Sequence, residues 1–446
     1  MKQLLEKLPF YNQAVLPYHL AQSVVANLKY HSPAKKLRVI GVTGTNGKTT
    51  TCFMLWNMLN HAGLKTGLMT TVAWGVDKLK PELGHMTTSD ANTLNSRIQK
   101  IADSGAEFLV LEVTSHALAE FRTLGIPFEI AVFTNLTHDH LDYHKTLTNY
   151  RNAKGKLFKK AAYSILNADD EATKYFKTLS KEYITYGIKK GNFRAKSIKL
   201  AISGVKYSLG DIKIETKIPG EFNVYNSLAA ALVGKKLGLS NDQIESGIRS
   251  LESVEGRMNL IDEGQPFTVI VDYAHTPDAI EKVYESLGAP ARSSDGTINR
   301  SIATLSSSAS LTSATPKGRI ISVHGGAGRR DPATREIRGR ILAKYSDIVI
   351  ITEDDSRDED PEEIAAAFIK GAEKYGKTLD KDLFKGLDRK KAIALALKLA
   401  KKGDIVLILG KGHEKTILRA DGAHPFEDIK VAKSLLHSLG YKKSEK

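Results

Sequence analysis

Three clusters in this chain have the residue types and spacing to handle a polyphosphate beside a carboxylate. The first is Gly41-Val42-Thr43-Gly44-Thr45-Asn46-Gly47-Lys48-Thr49-Thr50-Thr51. An apolar, β-rich run from Leu37 to Val42 precedes it, and Thr51 to Leu59 reads as a helix. A strand, a glycine-rich turn and a helix in that order aim backbone N–H groups at a helix N-terminus, where phosphate oxygens are well held. In such a loop Lys48 reaches the β- and γ-phosphates and the Thr49 hydroxyl sits on Mg²⁺, with Gly44, Thr45, Asn46, Gly47 and Thr50 around the anion. ATP and magnesium are the expected ligands. The position five before Gly47 is Val42 rather than glycine, a departure from the strict P-loop spacing.

The second cluster is Leu111-Glu112-Val113-Thr114-Ser115-His116. A carboxylate at a strand end beside a phosphate loop can hold another side of Mg²⁺, and Glu112 is the candidate. The third, Thr134-Asn135-Leu136-Thr137-His138-Asp139-His140-Leu141-Asp142-Tyr143-His144, is followed by Tyr150-Arg151-Asn152-Ala153-Lys154-Gly155-Lys156-Leu157-Phe158. Three histidines this close could suggest zinc, but no cysteine partners stand near and the phosphate loop argues for magnesium. By itself Lys154 reads as one surface charge among many.

The elements that must position these groups alternate. Strand-like runs at Arg38–Val42, Phe108–Val113, Ile130–Thr134 and Tyr163–Leu166 are separated by helical stretches, which predicts a mostly parallel, doubly wound sheet. Ligands gather at the carboxyl ends of such strands, where all three clusters fall. A more β-rich insert spans Tyr183 to Ile218, and a second helix starts near Phe222. From Glu252 the alternation restarts, with strands at Thr268–Tyr273, Arg319–His324, Asp347–Thr352 and Asp404–Leu409. The fold expected is α/β: a P-loop central domain over 37–251 and a Rossmann-like C-terminal domain over 252–446. The Ser/Thr/Ala-rich stretch 289–317 reads as a flexible surface insertion. Residues 1–36 form a short leader with one amphipathic helix, Tyr18 to Tyr30, whose Leu20, Val24, Val25 and Leu28 recur at helical spacing and should dock on the next domain. Weak membrane-surface contact through Phe10, Tyr11 and Tyr18 is the alternative for this leader.

Composition bounds the reading without deciding it. The 446 residues carry 65 Lys and Arg against 50 Asp and Glu, a net charge of +15 that suits anionic ligands. Nucleic acid would want aromatic platforms or a clustered basic helix, and neither is evident. The single cysteine, Cys52, excludes an intrachain disulfide framework and fits a reducing compartment. No apolar run approaches the length of a membrane span and no clear signal peptide opens the chain, so a cytoplasmic, monomeric protein is expected.

Together and in order, GTNGKTTT, LEVTSHAL, TNLTHDHLDYH, YRNAKGKLF, GEFNVYNSLAA, VEGRMN, VDYAHTPDA and LGKGHE resemble the Mur ligases of peptidoglycan synthesis, most of all those of MurE type. The resemblance implies ATP-dependent joining of an amino acid to UDP-N-acetylmuramoyl-L-alanyl-D-glutamate through an acyl phosphate. It implies that Lys48, Glu112, His140 and Lys154 are catalytic. Thr49 would serve one Mg²⁺, with Glu112, His140 and Lys154, as a carbamate, at a second. It gives Asn223 and Asn226 to adenine, with a helix cap as the plain alternative for Asn223. Arg257 and Asp272 would close the C-terminal domain over ATP. Thr87, Thr88, Thr114 and Arg122 would contact the muramoyl dipeptide. Glu120 stands where the family has glutamine, and an anion there would repel another anion.

For the incoming amino acid, the diaminopimelate-adding enzymes carry Asp-Asn-Pro-Arg, and here the segment is Asp354-Asp355-Ser356-Arg357. The arginine is kept, able to grip a distal carboxylate. Gly410 and Glu414 match the expected partners of the amino-carboxyl end, and Arg330 would add a clamp. The expected substrate is therefore meso-diaminopimelate rather than lysine. The family has a complete N-terminal uridine-binding domain, whereas the leader is too short for one, so a different grip on uridine or a different acceptor is expected. The same chemistry on another acceptor, as in folylpolyglutamate or cyanophycin-type synthetases, is the alternative, and a P-loop nucleic-acid ATPase a more distant one.

Overall fold

The computed structural model describes residues 14–82, 86–292 and 318–442. The chain divides into two compact units. The first runs to Ser197 and adds Lys206–Thr216 and Phe222–Leu251; the second comprises Ile198–Val205, Lys217–Glu221 and the chain from Glu252.

In the first unit, α1 (Leu16–Lys29) and a 3₁₀ turn lead to β1 (Arg38–Thr43), α2 (Lys48–His61), β2 (Thr66–Met69), β3 (Ala73–Gly75), β4 (Lys80–Pro81) and α3 (Ala91–Asp103). Then follow β5 (Phe108–Glu112), α4 (Ser115–Ala119), β6 (Phe128–Phe133), α5 (Leu141–His144), α6 (Leu147–Lys160), β7 (Tyr163–Asn167), α7 (Thr173–Leu179), β8 (Glu182–Gly187) and β9 (Phe193–Arg194). The insert supplies β10 (Lys196–Ala201), β11 (Gly204–Leu209) and β12 (Ile212–Thr216), a separate three-stranded sheet. Helices α8 (Phe222–Lys236) and α9 (Asn241–Arg249) close the unit.

The nine-stranded sheet has the order β4-β3-β2-β5-β1-β6-β7-β8-β9. Only the β2–β3 and β3–β4 pairs are antiparallel. Its central strands read as continuous apolar runs because helices cover both faces; in β1 every residue after Arg38 is buried. On one face Val39, Leu109, Leu111, Ala131 and Phe133 pack with Leu157 and Phe158 of α6 and Phe176 of α7. Register decides the site: Val42 is opposite Glu112, and Thr43 is opposite Phe133, so β1, β5 and β6 release their chains side by side.

The leader helix departs from expectation. It is present, but Tyr18, Val25 and Leu28 are 62%, 60% and 71% exposed, and Leu20 and Val24 are exposed as well. What docks instead is its small polar face: Ser23 and Ala26 are buried, and the Asn27 Nδ2 donates to Leu124 O at 2.9 Å. One satisfied carboxamide at a close approach fixes the helix where apolar periodicity pointed the other way. Phe10 and Tyr11 lie outside the described residues. Among the described residues no helix is long and apolar enough to cross a membrane.

The second unit contains β13 (Asn259–Ile261), β14 (Thr268–Asp272), α10 (Pro277–Ser286), β15 (Ile320–Gly326), α11 (Ala333–Tyr345), β16 (Ile348–Glu353) and α12 (Pro361–Glu373). It continues through β17 (Leu383–Lys385), α13 (Arg389–Leu399), β18 (Ile405–Leu409), β19 (Thr416–Arg419), β20 (Gly422–Pro425) and α14 (Asp428–Ser438). Its six-stranded sheet has the order β13-β14-β18-β15-β16-β17, parallel except for β13. Helix starts are written locally: Thr276 caps α10 ahead of Pro277, and Asp360 caps α12 ahead of Pro361. Most of the 289–317 insertion, residues 293–317, lies outside the described residues.

Leu157 is fully buried and Leu28 is not. Leu157→Ala is expected to cost about 2–5 kcal/mol of unfolding free energy, and Leu28→Gln less than about 0.5 kcal/mol. Urea unfolding of the two variants checks the assignment of inner and outer faces.

Candidate active site

The phosphate loop joins β1 to α2, which starts at Lys48, three residues ahead of the sequence expectation. This brings Thr49 and Thr50 into its first turn, both buried. Gly47 caps the helix at φ 82°, in the left-handed region, and a Cβ there would run into the side chain of Asn226. A Cβ on Gly44 would run into the Thr134 hydroxyl. Both glycines are therefore required sterically. The loop is clamped from the neighbouring strand end. Asn135 Oδ1 accepts from Asn46 N at 2.9 Å and its Nδ2 donates to Asn46 O at 3.1 Å, while the Thr134 hydroxyl donates to the same carbonyl at 2.7 Å. The Thr137 amide donates to Thr45 Oγ1 at 3.0 Å. Lys48 Nζ donates to Thr45 O at 2.7 Å, folded back over the loop.

Glu112, buried at the end of β5, gathers the threonines. Its Oε2 accepts from Thr49 Oγ1 at 2.9 Å, and from both Thr71 N and Thr71 Oγ1 at 3.1 Å. The same Thr71 hydroxyl lies 2.9 Å from Thr87 Oγ1. Thr88 donates to Glu112 O at 2.9 Å and accepts from Thr114 N at 3.1 Å, and Thr114 Oγ1 caps α4. Thr87, Thr88 and Thr114 thus line up behind the carboxylate. Arg122 reaches the same strip, donating to Thr88 O at 2.8 Å and to Glu120 Oε2 at 2.9 Å. The Glu120 anion is paired with Arg122.

Lys154, on α6, is fully buried, and its Nζ donates to Gly44 O at 2.7 Å. Burial, reinforced by the nearby Lys48 charge, drives its amine well below the ordinary lysine range, with Asp139 and Glu112 pulling the other way. Lys156, by contrast, is exposed and donates to Leu118 O. The Tyr150 ring lies 4.4 Å from Lys154 Nζ, and its hydroxyl is 3.2 Å from Thr45 Oγ1. His140 holds a left-handed φ of 54° at the start of α5, its Nε2 3.3 Å from Asp139 Oδ2, and its ring stands edge-on to His116 at 4.9 Å. His144 Nε2 lies 2.9 Å from Ser115 Oγ, and burial, with Lys154 adding to it, lowers its pKa to about 4. Asn223 and Asn226 sit in the first turns of α8, both buried, with Asn226 Nδ2 donating to Asn223 Oδ1 at 2.8 Å and Asn226 Oδ1 accepting from Thr51.

The second unit has its own polar centre. Lys411, fully buried, donates from Nζ to Asp355 Oδ1 and Glu414 Oε2 at 2.8 Å and to Asp354 Oδ1 at 3.1 Å. Three carboxylates so close could hold a metal cation; here they hold the lysine ammonium. Burial, with Asp354 and Asp355 nearby and Lys411 opposing, pushes Glu414 up to about 7. Gly410, at φ 111°, leaves room that a side chain would close, because its Cβ would stand 2.9 Å from Asp354 Oδ2. Arg357 Nη1 donates to Gly328 O at 3.2 Å, tying it to the loop that bears exposed Arg330. Burial and the Arg330 charge lower the Arg357 pKa. Arg330, Asp354, Asp355, Arg357, Gly410 and Glu414 therefore converge. Asp272 adjoins them, its backbone carbonyl accepting from Gly410 N at 3.1 Å; its carboxylate accepts from Met258 N at 2.6 Å and Ala274 N at 2.7 Å, and the Arg257 guanidinium lies 4.5 Å from the Tyr273 ring centroid.

Sequence reasoning did not single out Asn135, Thr71, Tyr150 or Lys411. Asn135, Tyr150 and Lys411 stand inside the segments quoted above, and for Lys411 the signal was a lysine flanked by two glycines ahead of a glutamate. Thr71 had none, since a threonine two residues past a short strand looks like any turn.

A phosphate loop, a strand-end carboxylate and a buried lysine on this pair of α/β units define an ATP-dependent ligase, and the comparisons agree. The Mur ligase middle domain matches residues 42–234, and the Mur ligase glutamate ligase domain matches 256–298 and 297–412. The chain belongs to the Mur ligase family. It is 36% identical over 437 residues to the UDP-N-acetylmuramoyl-L-alanyl-D-glutamate–2,6-diaminopimelate ligase of Geobacillus kaustophilus, covering 94% of this chain and 83% of that one. It is 39% identical over 427 residues to the ligase of the same name from Syntrophomonas wolfei, covering 93% and 81%. A solved structure of a diaminopimelate ligase of that name superposes with a TM-score of 0.59 at 29% identity, over 91% of this chain and 79% of the other. Folylpolyglutamate synthase of Mycobacterium tuberculosis shares the fold, with a TM-score of 0.68 at 17% identity over 88% and 93%.

His144 is neutral in the folded chain and has an ordinary pKa of 6.5 when unfolded. The stability it contributes is complete above 6.5 and is lost as pH falls toward about 4, because the unfolded chain takes up the proton first. Urea midpoints measured from pH 7 to pH 4 should fall more steeply for the parent than for His144→Gln.

Proposed function

We propose that this chain is a Mur ligase of MurE type, adding meso-diaminopimelate to UDP-N-acetylmuramoyl-L-alanyl-D-glutamate with ATP converted to ADP and phosphate. The cytoplasm, where ATP and nucleotide-linked precursors are found, is its compartment. The observation that carries the reading is the buried Lys154 amine beneath Gly44 O, close to Lys48, Glu112 and Asp139. A lysine costs free energy there unless it is neutral or modified.

The phosphate loop amides and Lys48 hold the β- and γ-phosphates. Thr87, Thr88, Thr114 and Arg122 orient the acceptor so that its carboxylate oxygen attacks the γ-phosphorus in line. The P–O bond to ADP breaks and an acyl phosphate forms. The diaminopimelate amine then attacks the acyl carbon, phosphate leaves, the amine gives up a proton, and an amide remains. The Thr49 hydroxyl would serve one Mg²⁺, and the Glu112 carboxylate and the His140 imidazole would hold a second. These ions, when bound, supply positive charge against the converging phosphate and carboxylate oxygens. A neutral Lys154 Nζ can take up CO₂, releasing a proton and becoming a carbamate, which adds an oxygen donor for the second.

In the second unit Arg330 and Arg357 offer two guanidinium groups to a distal carboxylate, and Asp355 and Glu414 offer carboxylates to an ammonium. That pairing suits an amino acid with both charges at its far end. Asn223 and Asn226 serve adenine, and Arg257 and Asp272 serve the ATP-bound state.

Phosphate release should require Mg²⁺, the muramoyl dipeptide nucleotide and an amino acid together, with kcat/KM for meso-diaminopimelate at least about tenfold above that for L-lysine. Release driven by nucleic acid, or by a pteroylglutamate acceptor in place of the muramoyl dipeptide, overturns the reading. Lys154→Ala should lose at least about 100-fold in kcat and regain part of it with short carboxylates, whereas Lys156→Ala stays within a few-fold of the parent.

A further inference from the structure

Beneath the polar centre of the second unit lies an ion pair that the mechanism above does not use. Arg389, the first residue of α13, and Asp428, the first of α14, are both fully out of solvent. The pair is bidentate: Nε donates to Asp428 Oδ1 and Nη2 to Oδ2, each at 2.7 Å. Two further donors go to backbone. Nη2 also donates to Leu409 O at 3.0 Å, and Nη1 to Glu353 O at 3.3 Å.

Those two carbonyls have a particular place in the fold. Leu409 is the last residue of β18 and Glu353 the last of β16. The two strands are not neighbours, since β15 lies between them. The next residues along each chain are Gly410-Lys411 and Asp354-Asp355, the two halves of the carboxylate–lysine cluster. One guanidinium therefore spans the end of β15 and grips both loop origins. Its position is set in turn by Asp428, on a helix that contributes nothing else to the cluster. Arginine suits this task because its planar fork can serve a carboxylate and two carbonyls in fixed directions at once; a lysine ammonium has no such geometry. A pair buried this deeply is weak evidence for stability, since apolar replacements of similar volume are often as stable, which leaves placement of the loops as the gain.

We infer that Arg389, held by Asp428, is a positioning residue for amino-acid recognition: it sets the spacing between the Asp354–Arg357 loop and the Gly410–Glu414 loop. This rests on the reading of that cluster as the amino-acid site. Both side chains are fully out of solvent, so neither is placed to touch substrate directly. Disturbing the pair should weaken amino-acid binding while leaving the ATP and acceptor parameters in place.

The test uses the full chain with Arg389→Lys and Asp428→Asn, measuring steady-state KM for ATP, acceptor and amino acid separately, with urea midpoints alongside. Arg389→Lys keeps the charge but cannot hold both carbonyls, so the amino-acid KM should rise at least about tenfold while the other two stay within about twofold. Asp428→Asn should produce the same selective rise at smaller size, and it decides the matter if Arg389→Lys does not fold. All three KM values moving together, or none moving in a folded variant, overturns the inference. A parent enzyme that releases phosphate without regard to the amino acid overturns instead the assignment of the cluster.

Discussion

The first unit depends on where one amine is buried. Lys154 Nζ is fully buried and donates to the carbonyl of Gly44, inside the phosphate loop. Low dielectric and the neighbouring Lys48 both oppose its charge. The loop, for its part, cannot adjust around it. Asn46 is held on both its backbone groups by Asn135, Gly44 is pressed against Thr134, and Gly47 against Asn226. A rigid frame that disfavours the charge on an amine is the kind of environment in which lysine chemistry becomes possible.

The second unit solves the opposite problem. Its buried lysine, Lys411, is kept charged by three carboxylates, and burial is outweighed by them. Beneath it Arg389 and Asp428 repeat the solution with one pair. The two units thus share a fold logic, strand ends bearing polar loops, while differing in whether the surroundings oppose or support the charge on the buried nitrogen. Charge kept in place by pairing suits recognition of a zwitterion; charge suppressed by isolation suits a nitrogen that must react.

Much of this was legible in the sequence, and the exceptions have physical causes. Apolar runs bounded by polar clusters marked β1, β5, β6 and the parallel strands of the second unit, because both faces of such strands are buried. Gly44, Gly47, Lys48, Thr49 and Glu112 stood out because phosphate loops need those types in that order. The leader helix was legible in its extent but not in its orientation: apolar spacing indicated Leu20, Val24, Val25 and Leu28, while the contact is made by Ser23, Ala26 and Asn27. Periodicity reports which side is apolar, not which side is covered. Glu120 looked like an obstacle, and the sequence did not show that Arg122, two residues on, is its partner. Arg389 and Asp428 gave no signal at all, since a charged residue at a helix start is ordinarily a solvated one.

The register of the central strand has a consequence for how the molecule comes into being. Strand β1 is early in the chain but central in the sheet, bonded on one side to β5 and on the other to β6. Its edges stay open until Phe133 has been made, which at ordinary rates of synthesis is a delay on the order of 10 s. Such distant pairings close slowly because the intervening chain must be ordered first. Throughout that interval the nascent chain displays an apolar strand with unpaired N–H and C=O groups, a hazard for misassembly. The clamp from Thr134 and Asn135 arrives only after β6, and the contacts of Lys154 and Asn226 with the loop come later still. Nucleotide binding is therefore acquired only after the sheet has closed around β1, and an incomplete chain stopped short of β6 holds the loop's sequence without its shape.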